Sequence, residues 1–194
     1  MENGINTVMD IRDTITLLEA KSKQDIGIVE LSYSDDALAP TMSKDSMKLH
    51  YGKLAHAYAQ RFNNGEGDAD FNYAGAMLHN IFFTQFRESR NKNEPNGPVG
   101  NLIKQKFKNF SNFCDEFTQA AMSIQGSGWC YLSRSGEIKT IHNHQMRQDI
   151  LILIDMWEHS YILDYGSDKS RYLQNIWKIV DWNKINAVWG QAYK

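Results

Sequence analysis

Apolar residues recur three or four apart over residues 6–23, with Val8, Ile11, Ile15 and Leu18 on one side and Asp10, Arg12, Asp13 and Glu19 between them; the pattern predicts one amphipathic helix. An extended stretch follows, because Pro40 excludes helix at the residue before it. Ser43 opens a long helical pattern as its N-cap, running to about Phe62, and Asn63-Asn64-Gly65-Glu66-Gly67-Asp68 breaks it. A second helical pattern covers about Asn72 to Arg90, with Leu78, Ile81, Phe82, Phe83 and Phe86 on its apolar side, so the two read as an antiparallel helical hairpin.

Asn91 to Pro98, rich in asparagine and proline, predicts a linker and a domain boundary. Beyond it, helical spacing over 101–107 and 110–122 gives way to three short strand patterns, Trp129–Ser133, Glu137–Ile141 and Ile150–Ile154, with Gly136 turning between the first two. Helix returns from about Lys169, carrying Tyr172, Ile176, Trp177 and Ile179. The expected fold is α+β: an N-terminal helical hairpin, then a C-terminal α/β domain with a three-stranded antiparallel sheet flanked by helices. The expected division is a helical extension over 1–28, the hairpin over 29–93 and the α/β domain over 94–194.

Composition narrows the class of function. The 194 residues hold 21 Lys+Arg against 23 Asp+Glu, a net charge of −2, so no polyanion-binding surface is written into the chain and no nucleic acid is expected. Its longest aliphatic run, Ile150 to Ile154, is far short of the roughly 20 residues that span a bilayer, so no membrane is expected either. Two cysteines cannot build a disulfide framework, and the first residues carry neither a basic nor an apolar signal region; a reducing, cytoplasmic setting is the expectation. Six histidines against those two cysteines point any metal chemistry to imidazole and carboxylate.

The densest chemical signal is Asp155-Met156-Trp157-Glu158-His159. Asp155 and His159 are four apart, so a helical turn would bring both to one ion, although such a pair is more commonly a surface ion pair. His50 in the first long helix and His79 in the second can face each other across the hairpin. Three histidines and one aspartate suit redox-active iron or manganese; zinc would bind but could not change oxidation state.

His50-Tyr51-Gly52-Lys53 with Tyr58, Leu78-His79-Asn80, Gly126-Ser127-Gly128-Trp129 and Asp155-Met156-Trp157-Glu158-His159 follow one another in the order found in the iron/manganese superoxide dismutases, which the chain resembles from about Leu31 to Trp182. The resemblance implies dismutation of superoxide to dioxygen and hydrogen peroxide. It also implies one iron or manganese ion per chain, held by His50, His79, Asp155 and His159 with one solvent molecule. It makes Tyr58 the gateway tyrosine of the substrate funnel, and Trp129 and Trp157 the apolar wall around the ion. Glu158 would pair with a ligand histidine of a second subunit in a homodimer or tetramer. His144 falls where manganese members place a glutamine that bonds the bound solvent, whereas iron members draw that glutamine from the second helix, where this chain has Gly75. A histidine in the later position is similar to a subgroup with iron-dependent and metal-tolerant members, so it points toward iron and leaves manganese open.

Leu54 and Ile162 stand where the family has a histidine and a tyrosine bonded across the dimer, a polar relay exchanged for packing. That loss raises the competing reading, a metal-binding structural or interaction protein of the same fold with little turnover. Phe83 and Tyr131 replace family tryptophans, His56 and His142 are given no role, and Lys53 and Arg171 are the cations expected to draw the superoxide anion.

Overall fold

The computed structural model describes residues 25–191. The helix expected over 6–23 lies outside the described residues, as do the last three residues.

Helix α1 (Lys44–Leu49) starts where Ser43 Oγ accepts from Ser46 N at 3.2 Å, runs into a π-helical turn (His50–Ala55), and continues as α2 (His56–Asn64). Gly65, in the left-handed region at φ 70°, ends it. Helix α3 (Ala69–Thr84) returns antiparallel, capped by Asp68, whose carboxylate accepts from Phe71 N at 2.8 Å. The hairpin is therefore as expected, but α3 begins before Asn72 and stops at Thr84 rather than Arg90. Tertiary pairing takes the chain beyond Thr84 out of the helix: Phe86 bridges Val180, Arg87 N donates to Ile179 O at 2.8 Å, and Arg90 N donates to Lys178 O at 3.0 Å. Gln85 also leaves the helix to clamp β3, exchanging both side-chain amide atoms with Leu153 N and O.

Helices α4 (Gly97–Phe107), with Pro98 in its first turn, and α5 (Phe110–Met122) lead into strands β1 (Gly128–Ser133), β2 (Ile138–His142) and β3 (Ile150–Asp155). The sheet is antiparallel with order β2-β1-β3, and its helical flanks give the α+β class that the sequence pattern predicts. Gly136, at φ 78°, makes the β1–β2 turn. The uninterrupted Ile150–Ile154 run is buried at every position, which is why it carries no polar alternation. A short α6 (Ile162–Tyr165) precedes α7 (Lys169–Ile176) and α8 (Trp182–Gln191). The single C-terminal helix expected from the spacing is two, because Lys178, Ile179 and Val180 leave the helix between them to pair with 86–90.

One apolar cluster joins Leu78, Phe82 and Phe86 of the hairpin side to Trp129, Ile152 and Ile179 of the sheet side. Asn93 ties the two, with Nδ2 donating to Trp177 O and Val180 O at 2.7 Å each. Of the described residues, no helix is long and apolar enough to cross a membrane.

Candidate metal centre

The β1–β3 register sets Trp129 opposite Asp155, the last residue of β3. Asp155 is fully buried, and its two oxygens do different work. Oδ1 accepts from Trp157 N at 2.7 Å, fixing the carboxylate plane, while Oδ2 is aimed at three imidazoles: His50 Nε2 at 3.0 Å, His159 Nε2 at 3.3 Å and His79 Nε2 at 3.7 Å. The four ligand atoms lie within 4.8 Å of one another. His50 comes from the start of the π-helical turn, which re-aims that stretch of helix, and His79 from the facing side of α3.

Asp155 and His159 do not share a helical turn as expected. The chain leaves β3, bends at extended Trp157, and presents His159 from a 3-10 turn (Glu158–Ser160). Four-residue spacing succeeds here through a strand end and a tight turn, a geometry that periodicity alone does not report.

None of Asp155 Oδ2, His50 Nε2, His79 Nε2 and His159 Nε2 has a hydrogen-bond partner. Buried polar atoms left this way are costly, and four converging on one point fit a cation. His79 is already poised for one, since its Nδ1–H donates to Gly75 O at 2.5 Å and leaves Nε2 with a free lone pair. Burial, then the neighbouring His50, lowers His79 from 6.5 to about 3, and burial also lowers His50, so both stay neutral as metal ligands must. Burial by itself would raise Asp155, but the facing His159 and His50 hold it below the usual carboxylate range and ionised. An anionic oxygen with three imidazoles is a donor set for iron or manganese rather than for calcium.

His144 packs beside this set, stacked on Trp157 with ring centroids 4.4 Å apart and edge-on to Tyr58 at 4.7 Å. Trp129 Nε1–H donates to His144 Nδ1 at 3.2 Å. An indole nitrogen can only donate, so Nδ1 accepts and the imidazole proton sits on Nε2, buried and without a partner. Burial lowers His144 to about 4 and raises Tyr58 to about 12, so at neutral pH the imidazole is uncharged and the phenol keeps its proton. Tyr58 stacks on His79 at 5.3 Å.

Gly75 explains how this pair fits. A Cβ there would stand 2.8 Å from the Tyr58 ring and 3.2 Å from His144 Cδ2, so the backbone of α3 makes the room that two rings fill. Gly75→Ala is expected to cost about 1–3 kcal/mol by overpacking; calorimetry should show a lowered Tm, and an unchanged Tm would mean the rings move aside freely.

Sequence reasoning missed Phe71, whose ring lies 4.7 Å from His144, because placing the helix start at Asn72 cut it off; Asp68 as an N-cap was the available signal. Phe83, 4.8 Å from His50, and Phe82, 5.3 Å from it, complete the apolar wall with Trp129. Lys53 and Arg171 are not drawn into the site: Lys53 is exposed, and exposed Arg171 lies over Tyr165. Arg61 is the cation over Tyr58, at 6.0 Å. His56 is exposed against Tyr51, His142 is exposed at the end of β2, and Tyr131 holds Asp149 from β1. Glu158 and Ile162 are exposed, and Leu54 is half-buried.

Fold and cluster together define a mononuclear metalloprotein with three histidines and one aspartate at the seam of a helical hairpin and a small antiparallel sheet. Residues 95–188 match the family of iron/manganese superoxide dismutases, C-terminal domain. The chain is 32% identical to the iron superoxide dismutase of Bacteroides fragilis, over 80% of this chain and 95% of that protein. It is equally 32% identical to the manganese/iron enzyme of Porphyromonas gingivalis, over 82% of this chain and 97% of that protein. A mitochondrial manganese enzyme of Arabidopsis thaliana is 27% identical over 94% of each chain. The chain belongs to the iron/manganese superoxide dismutase family.

Proposed function

We propose that the protein is a superoxide dismutase, converting superoxide to dioxygen and hydrogen peroxide. The observation that carries this is the convergence of four buried, unpartnered ligand atoms within 4.8 Å. His50, His79, Asp155 and His159 hold the ion, at the seam between a hairpin domain over 29–93 and an α/β domain over 94–194. A bound iron or manganese ion supplies one-electron chemistry by alternating between trivalent and divalent states. Zinc fits the same donors but lacks that chemistry.

The remaining residues manage water and protons. Trp129, Trp157, Phe71 and Phe83 exclude bulk solvent and lower the local dielectric. His144, locked as its Nε2–H form by Trp129, presents a neutral donor; Tyr58, protonated at working pH, presents a second. A donor of this kind stabilises an anionic oxygen species at the site and so sets how readily it takes a proton. The full ligand set and Tyr58 leave the low-turnover alternative without support.

Iron is the favoured metal on account of His144 in place of an amide, with manganese tolerated. The assembly in this reading is a homodimer or tetramer in which Glu158 meets a ligand histidine of the second subunit, and the apolar Leu54 and Ile162 lie at that contact. The cytoplasm is the proposed compartment, fitting two free cysteines.

Reconstituting metal-free protein with iron or with manganese, and following superoxide decay for each, tests the assignment. Stoichiometric metal without superoxide consumption sinks it. His144→Ala is expected to keep the ion and slow turnover by about 10–100-fold, as lost outer-shell hydrogen bonds typically do; full activity with both metals would remove His144 from the mechanism.

A further inference from the structure

At the opposite end of β3 from Asp155 lies a cavity of about 570 Å³ that includes none of the metal-site residues. Leu31, Ile81, Ile150, Leu151, Ile185 and Val188 wall it, and its volume falls in the range of small-molecule sites. Three cations, Arg134, Arg147 and Lys184, line it against one acid, Glu30, among the described residues. None of the three has a carboxylate within ion-pair distance among the described residues. Lys184 Nζ is satisfied by Ser32 Oγ and Phe86 O at 3.0 Å each, and Arg147 by Met146 O at 2.9 Å and Gln145 Oε1 at 3.0 Å. Arg134 is not: its Nε is buried with no hydrogen-bond partner.

A guanidinium that lines a mainly apolar hollow with no carboxylate or hydrogen-bond partner among the described residues asks for an anion that brings its own hydrocarbon. We propose that this cavity binds a single-tailed aliphatic carboxylate, its head group on Arg134 with Arg147 adding positive field, and its tail along Leu31, Ile150 and Val188. One planar carboxylate matches one planar guanidinium edge. The mainly apolar wall disfavours a fully hydrated polyanion such as inorganic phosphate.

The test is titration of the full, metal-loaded chain with decanoate below its micelle concentration, read by calorimetry, and by amide NMR on the chain loaded with diamagnetic zinc. Saturable binding of one decanoate per chain, with shifts confined to Leu31, Ile150, Val188 and their neighbours, is the expected result. Arg134→Gln should weaken it about ten- to hundredfold while metal content and dismutase activity stay as they were, and Val188→Asp should weaken it through the tail. Decanol, with the same tail and no charge, should bind about tenfold more weakly or worse. No saturable binding, equal affinity for decanol, unchanged affinity in Arg134→Gln, or shifts centred elsewhere would each overturn the proposal.

Discussion

Asp155→Asn is expected to leave a chain that folds but neither retains metal nor consumes superoxide. Asp155 is the only anion in the cluster, and its Oδ2 lies within 3.7 Å of all three imidazoles. Substituting groups that merely orient a ligand costs about 10–100-fold in metal affinity, and loss of the charged donor itself should exceed that. Metal per chain measured by elemental analysis should fall to a small fraction of wild type, and superoxide consumption with it. In the metal-free protein the facing His159 and His50 still hold the Asp155 carboxylate ionised against its burial, and a neutral amide gives up those contacts. The Tm of metal-free Asp155→Asn should therefore fall modestly below that of metal-free wild type, with the fold retained. Asp155→Asn protein that keeps a full complement of metal, or that unfolds with or without metal, would show that the carboxylate is structural.

How far the sequence discloses this site depends on which interaction places each residue. His50 and His79 sit in amphipathic helices whose periodicity and breaking loop are local, so their facing each other follows from the hairpin. The three strands are likewise legible, since burial on both faces turns β3 into an unbroken Ile/Leu run. What sequence does not carry is tertiary competition. The end of α3 is decided by Gln85 clamping Leu153 and by 86–90 pairing with the stretch between α7 and α8, partners about 70 to 90 residues away. The π-helical turn at His50 and the 3-10 turn at His159 are likewise departures from regular helix that the apolar spacing does not report. His144 shows the same limit: beside Asn143 and Gln145 it reads as an ordinary loop residue, and only the indole of Trp129 and the space over Gly75 make it part of the centre.

Removing the metal should destabilise the protein strongly, and acid should compound the loss. A ligand that binds only the folded chain stabilises it by RT ln(1 + [L]/Kd), about 4 kcal/mol when free metal is a thousandfold above Kd; in a chain of this size that moves Tm by roughly 10 °C. The metal-free protein then faces its own buried imidazoles. Burial, with His50 second, holds His79 at about 3, burial holds His144 at about 4, and burial also lowers His50, whereas each titrates near 6.5 in the unfolded chain. Between those folded values and about 6.5 the unfolded chain binds protons that the folded chain refuses, so stability rises with pH across the window and falls as acid is added. The slope is up to about 1.4 kcal/mol per pH unit for each histidine. Denaturant titrations of metal-free protein between pH 7 and pH 4.5 should show this decline, and it should be shallower in His144→Ala by up to one proton. The loaded protein should resist until protonation of the same imidazoles competes with the ion, after which metal release and unfolding should coincide. A metal-free stability that stays flat from pH 7 to pH 4.5 would mean that these imidazoles take up protons within the fold, and that the centre is far wetter than its packing indicates.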